Sequence, residues 1–197
     1  MKSPYVKPGY LEVYCGPMKS GKTREIINRI DKIKFVNNCR YLIVKPKVDT
    51  RNDSVVTRFG KLNFDCIFVD EKNPYEILEK ISDIDLLVID EGHFFDLSII
   101  NIIKELQKKG LHIIVAGLDL DFRGEPFGSM PYLLALSDKV YKLTAVCEHS
   151  GCYEKANRTQ RLINGKPASY SSPIVLIGDE KEGYCVRCLR HHICERE

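Results

Sequence analysis

The sequence predicts an α/β domain, a parallel sheet covered by helices on both faces, followed by a small cysteine-rich appendage. Two observations carry this. Over the first 145 or so residues, short β-branched runs alternate with segments that are apolar at helical spacing, the pattern of strands buried on both faces. Near Cys147 that pattern stops. Five of the eight cysteines (Cys147, Cys152, Cys185, Cys188 and Cys194) then fall in the last quarter, beside His149, His191 and His192. The expected division is therefore 1–145 and 146–197.

Each element has its own signal. Tyr10–Cys15 is an apolar strand ending in a glycine-bearing turn, and Ile26, Ile27, Ile30 and Ile33 mark a helix. Tyr41–Val44 and Ile67–Val69 read as strands. Asn73-Pro74 offers a cap and a first-turn proline to a helix running to about Ile81. Leu86–Ile89 is a strand, and Leu97, Ile100, Ile103 and Leu106 form a helical stripe closed by Gly110 that could supply an interface. His112–Leu118 and Val140–Val146 complete the strands.

Composition narrows the function classes. A chain of 197 residues, 44% apolar and 29% charged, is neither disordered nor membrane-embedded. No apolar run approaches the roughly 18 to 20 residues of a spanning helix. The opening MKSPYVKPGY lacks the apolar segment of a secretory leader, so the expected location is the cytoplasm. A net charge of +3, from 30 basic against 27 acidic residues, is too slight to argue for nucleic acid. Cys15, Cys39 and Cys66, each alone among apolar residues, read as small buried side chains. The paired cysteines of the tail predict zinc rather than disulfides, since so small a unit needs a staple.

The chemistry begins at Gly16-Pro17-Met18-Lys19-Ser20-Gly21-Lys22-Thr23, which fits GxxxxGK[ST] between a strand and a helix. Glycines let successive N–H groups turn toward phosphate oxygens, and the helix N-terminus adds its positive end. Lys22 would reach the β- and γ-phosphates and the Thr23 hydroxyl would ligate Mg²⁺. The fold expected is thus a P-loop sheet of RecA-like type. Asp90, ending the run Leu86–Ile89, stands where such proteins hold Mg²⁺, and Glu91 follows at the sheet edge where ligands sit. A carboxylate there can take a proton from whatever attacks the γ-phosphate. Water as nucleophile would make an ATPase, a substrate hydroxyl a kinase. Asp90-Glu91-Gly92-His93 also matches the DExH signature of helicases, but the chain has no room for the second domain these require.

GPMKSGKT, VIDEGHFF, KLTAVC and RTQRL, in this order and at these separations, resemble the cellular type II thymidine kinases, P-loop enzymes that contain zinc. The resemblance runs from about Gly9 to His191. It implies ATP-dependent phosphorylation of the 5′-hydroxyl of thymidine to dTMP, in deoxynucleotide salvage for DNA synthesis. Gly16–Thr23 would bind ATP, Asp90 would help hold Mg²⁺, and Glu91 would be the base. Arg51, in the segment Asp49-Thr50-Arg51, would help neutralise the transferring charge. Met18, Phe94, Leu118 and Phe122 match positions lining the thymine pocket, and Thr159 and Tyr184 match positions near the base. Residues from about 163 to 178 correspond to a lasso loop whose backbone reads the base edge, with Ile174 and Leu176 where it closes. The family also implies a homotetramer inhibited by dTTP.

Three departures stand out. Lys19 replaces an aromatic and is expected to point to solvent. His93 replaces a glutamine and brings a group that titrates near neutral pH. Cys147-x₄-Cys152 is two residues longer than the family's pair. Cys185-x₂-Cys188 would complete a Cys₄ set, but the family register from Tyr184 and Arg187-Cys188 implies Cys147, Cys152, Cys188 and His191. Cys185 competes for the fourth place, and His149, His192 and Cys194 are bystanders. Either set is a closed tetrahedral, structural site. It would anchor the lasso, so that metal loss raises the thymidine KM before it affects ATP. The reading of a different class is a P-loop ATPase module whose zinc tail binds nucleic acid or protein. The tail shows no basic stretch with interleaved aromatics to support it.

Overall fold

The computed structural model describes residues 5–35, 39–49, 54–56, 63–175 and 182–196. In chain order, β1 (Leu11–Cys15) leads through the glycine loop into α1 (Lys22–Lys34), then β2 (Tyr41–Pro46). A small hairpin of β3 (Ser54–Val56) and β4 (Asn63–Asp65) precedes β5 (Ile67–Val69) and α2 (Glu76–Lys80). Next come β6 (Leu86–Ile89), a 3₁₀ turn at Gly92–Phe94, α3 (Ile99–Lys108) and β7 (His112–Gly117). The helix α4 (Met130–Leu136) and β8 (Lys139–Lys142) close this part. The remainder holds β9 (Ala145–Val146), β10 (Lys155–Ala156), β11 (Arg158–Ile163), β12 (Lys166–Pro167) and β13 (Glu182–Arg187).

Six strands form one parallel sheet in the order β5-β2-β6-β7-β1-β8. Strand alternation divides its side chains between two cores. Val13, Cys15, Leu87, Ile89, Ile113 and Val115 pack with Ile77 of α2, Ile99 and Ile103 of α3, and Leu133 of α4. Tyr14, Leu86, Val88, Ile114 and Ala116 pack with Ile26, Ile27, Ile30 and Ile33 of α1. Successive residues point to opposite faces, which is why the sequence runs show no polar alternation. This is the predicted α/β sheet flanked by helices, with its loops at the strand carboxyl ends gathered on one edge.

Three expectations change. The run Val140–Val146 is not one strand: Lys139–Lys142 lies at the edge beside β1, whereas Ala145–Val146 pairs antiparallel with β10. Neither glycine nor proline marks the point, Leu143-Thr144, at which the chain changes sheets. Helix α3 turns its apolar stripe inward, with Ile100, Ile103 and Leu106 buried and only Leu97 of the predicted stripe exposed, so it offers no broad apolar face to a partner. Cys15 is buried as expected, but Cys39 and Cys66 are only half-buried at the margin of the α1 core.

Beyond the main sheet, β12-β11-β13 form an antiparallel sheet in which Arg161 faces Tyr184 and Thr159 faces Val186. Among the described residues, no helix is long and apolar enough to cross a membrane.

Candidate active site and metal centre

The glycine loop joins the carboxyl end of β1 to the amino end of α1. Gly16 has φ +138° because nothing larger fits: a Cβ there would lie 2.3 Å from the Leu143 carbonyl oxygen. The Lys22 ammonium is buried and donates to the carbonyls of Gly16 at 3.0 Å and Pro17 at 2.7 Å. Burial lowers its pKa, opposed by the charges of Glu91, Asp90 and Asp119. The loop lysine therefore sits in the field of the carboxylates at the neighbouring strand ends.

Those carboxylates follow β6 and β7. The Asp90 amide donates to the Val44 carbonyl at 2.9 Å, and one Asp90 carboxylate oxygen accepts the Glu91 amide at 3.0 Å. Burial pushes the Asp90 carboxyl up to about 7, with the Glu91 charge adding to the rise and Lys45 opposing it. Glu91 holds φ +52°, ψ +41°, a left-handed conformation that costs an ordinary side chain about 1 kcal/mol. Strain of this kind, held in place by packing, is characteristic of residues aimed at a ligand. Gly92 and Ser129 do the holding: a Cβ on Gly92 would meet Val115 at 2.6 Å, and the Ser129 hydroxyl donates to the Gly92 carbonyl at 2.8 Å.

His93 is buried, with Nδ1 accepting the Leu118 amide at 3.1 Å and lying 3.6 Å from a Glu91 carboxylate oxygen. Its ring packs on Phe94 and Phe127, at centroid distances of 4.2 and 4.6 Å. Glu91, Phe94 and Leu118 are thus brought together around a histidine that the sequence flagged only as a departure.

Phe122 lies in the loop after β7 and is 5% exposed. The guanidiniums of Arg123 and Arg161 stand 5.4 and 5.1 Å from its ring centre. Arg161, fully buried, also faces Tyr184 at 6.0 Å and donates to the Pro173 carbonyl. Phe122, Tyr184 and the Pro173 carbonyl therefore share one arginine. Ile174 is exposed, and Arg51 and Leu176 lie outside the described residues.

Met18 and Lys19 both reach the C-terminal part of the chain. The Met18 amide donates to the Thr159 hydroxyl at 3.0 Å, and its side chain packs against the small cluster formed by Cys147, Ala156, Val186 and Cys188. Lys19 does not point freely to solvent: its ammonium reaches both oxygens of Glu148 at 2.7 and 3.0 Å, and Glu148 also accepts the Val186 amide at 3.0 Å. Burial tends to raise the Glu148 pKa, but these donors hold it below the usual carboxylate range. Glu148 was not among the sequence candidates; the unusual Lys19 was the signal that could have found it.

Cys147, Cys152, Cys188 and His191 offer ligand atoms that all lie within 4.8 Å of one another. His191 Nδ1 is 3.7 Å from Cys147 Sγ and 3.3 Å from Cys188 Sγ, close to the roughly 3.5–3.8 Å edges of a tetrahedral zinc site. Burial would raise the Cys147 thiol, but the amides of Cys188 and His149 and the His191 ring bring it down to about 6, poised for the thiolate a metal needs. The Cys₃His set can therefore hold a metal ion of zinc type. Cys185 is not in the cluster, because strand alternation turns it to the face opposite Val186 and opposite Gln160 in the ladder.

Comparisons with known proteins agree with this geometry. The thymidine kinase family profile matches residues 9–192. A thymidine kinase of Coprothermobacter proteolyticus is 45% identical over 185 residues, 93% of this chain and 90% of its own. Thymidine kinases of the aster yellows witches'-broom and onion yellows phytoplasmas are 44% and 43% identical over 188 residues, each covering 93% of this chain and 87% of their own. The chain belongs to the thymidine kinase family.

Proposed function

We propose that the protein transfers the γ-phosphate of ATP to the 5′-hydroxyl of thymidine, giving dTMP and ADP, in deoxynucleotide salvage. Family membership supports the reaction. The observation that supports the roles proposed here is the strained Glu91 at the end of β6, in the same electrostatic neighbourhood as the buried loop lysine. Residues Gly16–Thr23 would cradle the triphosphate. Lys22 would exchange its two carbonyl partners for phosphate oxygens. Mg²⁺, held by Thr23 and Asp90, would neutralise charge on the β- and γ-phosphates.

Glu91 would accept the proton of the 5′-hydroxyl as that oxygen attacks the γ-phosphorus in line. The bond from phosphorus to the bridging oxygen breaks and ADP leaves. Arg51 would share the charge that develops. Met18, Phe94, Leu118, Phe122, Thr159 and Tyr184 would surround the base, with Ile174 and Leu176 where the lasso closes. In this reading residues 1–145 handle ATP and 146–197 close over the nucleoside. Zinc on Cys147, Cys152, Cys188 and His191 would be structural, contributing on the order of 10 kcal/mol to folding the tail. Homotetramer formation, dTTP inhibition and a cytoplasmic location are carried over from the family as part of the proposal.

The test is ADP and dTMP formation from Mg·ATP with and without thymidine, using deoxycytidine and ribothymidine as controls. Equal amounts of ADP and dTMP, formed only with thymidine, are expected. ADP released at the same rate without nucleoside would make water the nucleophile and overturn the reading.

A further inference from the structure

The segment that follows the last metal ligand makes a series of contacts no metal site requires. His192 Nε2 is 2.8 Å from the Phe122 carbonyl, and because a carbonyl only accepts, that nitrogen carries the proton. The buried Gln160 side chain clasps Ile193 from both sides: its amide donates to the Ile193 carbonyl at 2.8 Å and its oxygen accepts the Ile193 amide at 2.8 Å. Farther on, the Glu195 carbonyl accepts the Tyr170 amide at 3.1 Å. Arg196 pairs with Glu125 at 3.2 Å and lies 4.7 Å above the Tyr170 ring. Tyr170 in turn donates to Glu125 at 2.7 Å, and the Arg123 guanidinium lies 4.6 Å from the Tyr170 ring centre while donating to the Ser172 carbonyl at 2.9 Å.

We propose that residues 192–196 are a strap that sets the position of the Phe122 loop and of the lasso base, and that His192 is the positioning residue through which it acts on the nucleoside pocket. The loop is built to be moved as one body. Asp121 accepts the amides of Arg123 and Glu125, the Asp121 amide returns to the Glu125 carbonyl, and Leu120 bridges Pro126. A loop so closed on itself transmits a pull at one carbonyl to Phe122 as a whole. Gly124 gives the loop its turn at φ +82°, where a side chain would be strained and its Cβ would lie 3.3 Å from the Arg158 side chain. The strap also explains why Gln160 is buried within the RTQRL motif while taking no part in the metal set.

The inference rests on the thymidine kinase reading, because it assigns Phe122 to the nucleoside pocket. The test compares His192→Leu, His192→Gln and a chain ending at His191, measuring kcat, both KM values, bound zinc and the melting temperature. His192→Leu is expected to raise the thymidine KM about tenfold, the loss of one partly buried hydrogen bond in a binding loop, with the ATP KM within twofold and zinc retained. His192→Gln, whose amide can donate to the same carbonyl, is expected to recover most of the affinity. The truncated chain should exceed His192→Leu in thymidine KM. A merely structural histidine would lower the active fraction and kcat alike with both substrates and leave the thymidine KM unmoved. A thymidine KM within twofold of the parent in both His192→Leu and the truncated chain overturns the strap. A parent protein that phosphorylates no thymidine overturns instead the reading on which it rests.

Discussion

At the residue scale, two adjacent carboxylates make opposite demands on the fold. Glu91 is held in a strained turn and is only partly covered, whereas Asp90 is buried. Glu91→Gln keeps the shape but cannot take a proton, so turnover should fall by 10²- to 10⁴-fold while ATP affinity stays within twofold, checked by kinetics and calorimetry. A variant retaining half the parent rate would remove Glu91 from its role as base. For Asp90 the pKa is raised, so the folded protein binds the proton more tightly than the unfolded chain. The resulting stability is fully present below about pH 4 and is lost as pH rises toward about 7. Asp90→Asn should therefore raise the melting temperature at pH 8, with little change at pH 4, while turnover with Mg·ATP collapses. A melting temperature at pH 8 that falls instead would mean that Asp90 is paired and not penalised.

At the element scale, β1, α1 and β7 are cross-linked at the edge of the sheet away from the glycine loop. Glu12 of β1 accepts from Arg29 of α1 at 2.8 Å, lies 3.2 Å from His112 of β7, and accepts the Tyr14 hydroxyl at 3.1 Å. Burial alone would raise its pKa, but His112 and Arg29 hold it down at about 2. Its contribution is present above about 4.5 and is lost as pH falls toward 2. Glu12→Gln should flatten the acid limb of a pH–stability curve measured by urea unfolding, and an unchanged limb would discount the cluster. The apolar contacts around it are larger: Ile30→Ala, in the α1 core, should cost about 2–5 kcal/mol. These elements were legible because strands buried on both faces and helices with an apolar stripe leave periodicities in the sequence itself. The split of Val140–Val146 was not, because neither glycine nor proline marks the point where the chain passes from one sheet to the other. The ligand choice was open on spacing, since Cys185-x₂-Cys188 and Cys188-x₂-His191 are equivalent as motifs. Extended backbone through Arg187 turns Cys185 to the other face, so the cluster that could hold a metal is Cys147, Cys152, Cys188 and His191. The bonds of Lys19 to Glu148 and of His192 to Phe122 span 129 and 70 residues, and no local pattern encodes them.

At the scale of the whole molecule, the candidate metal unit contacts the glycine loop as well as flanking the proposed lasso, which changes what metal loss should do. The sequence suggested an effect on thymidine first, because the ligands flank the lasso. The structure adds a second route: Met18 packs against the cluster that includes Cys147 and Cys188, and Lys19 is tied to Glu148, the neighbour of the candidate ligand Cys147. Removing zinc with a chelator should therefore raise the KM for ATP together with that for thymidine. The ion pair itself is a third or so exposed on each side, so it should contribute no more than about 1 kcal/mol. Glu148→Gln should accordingly raise the ATP KM by about two- to fivefold, with zinc content unchanged and the effect shrinking as salt is added. The Lys19→Met/Glu148→Gln double variant should be no worse than the single one, because the lysine has then nothing left to lose. If Glu148→Gln instead lowers the ATP KM, Lys19 is better used on phosphate than on its tether. The metal unit would then act on the glycine loop through Met18 alone.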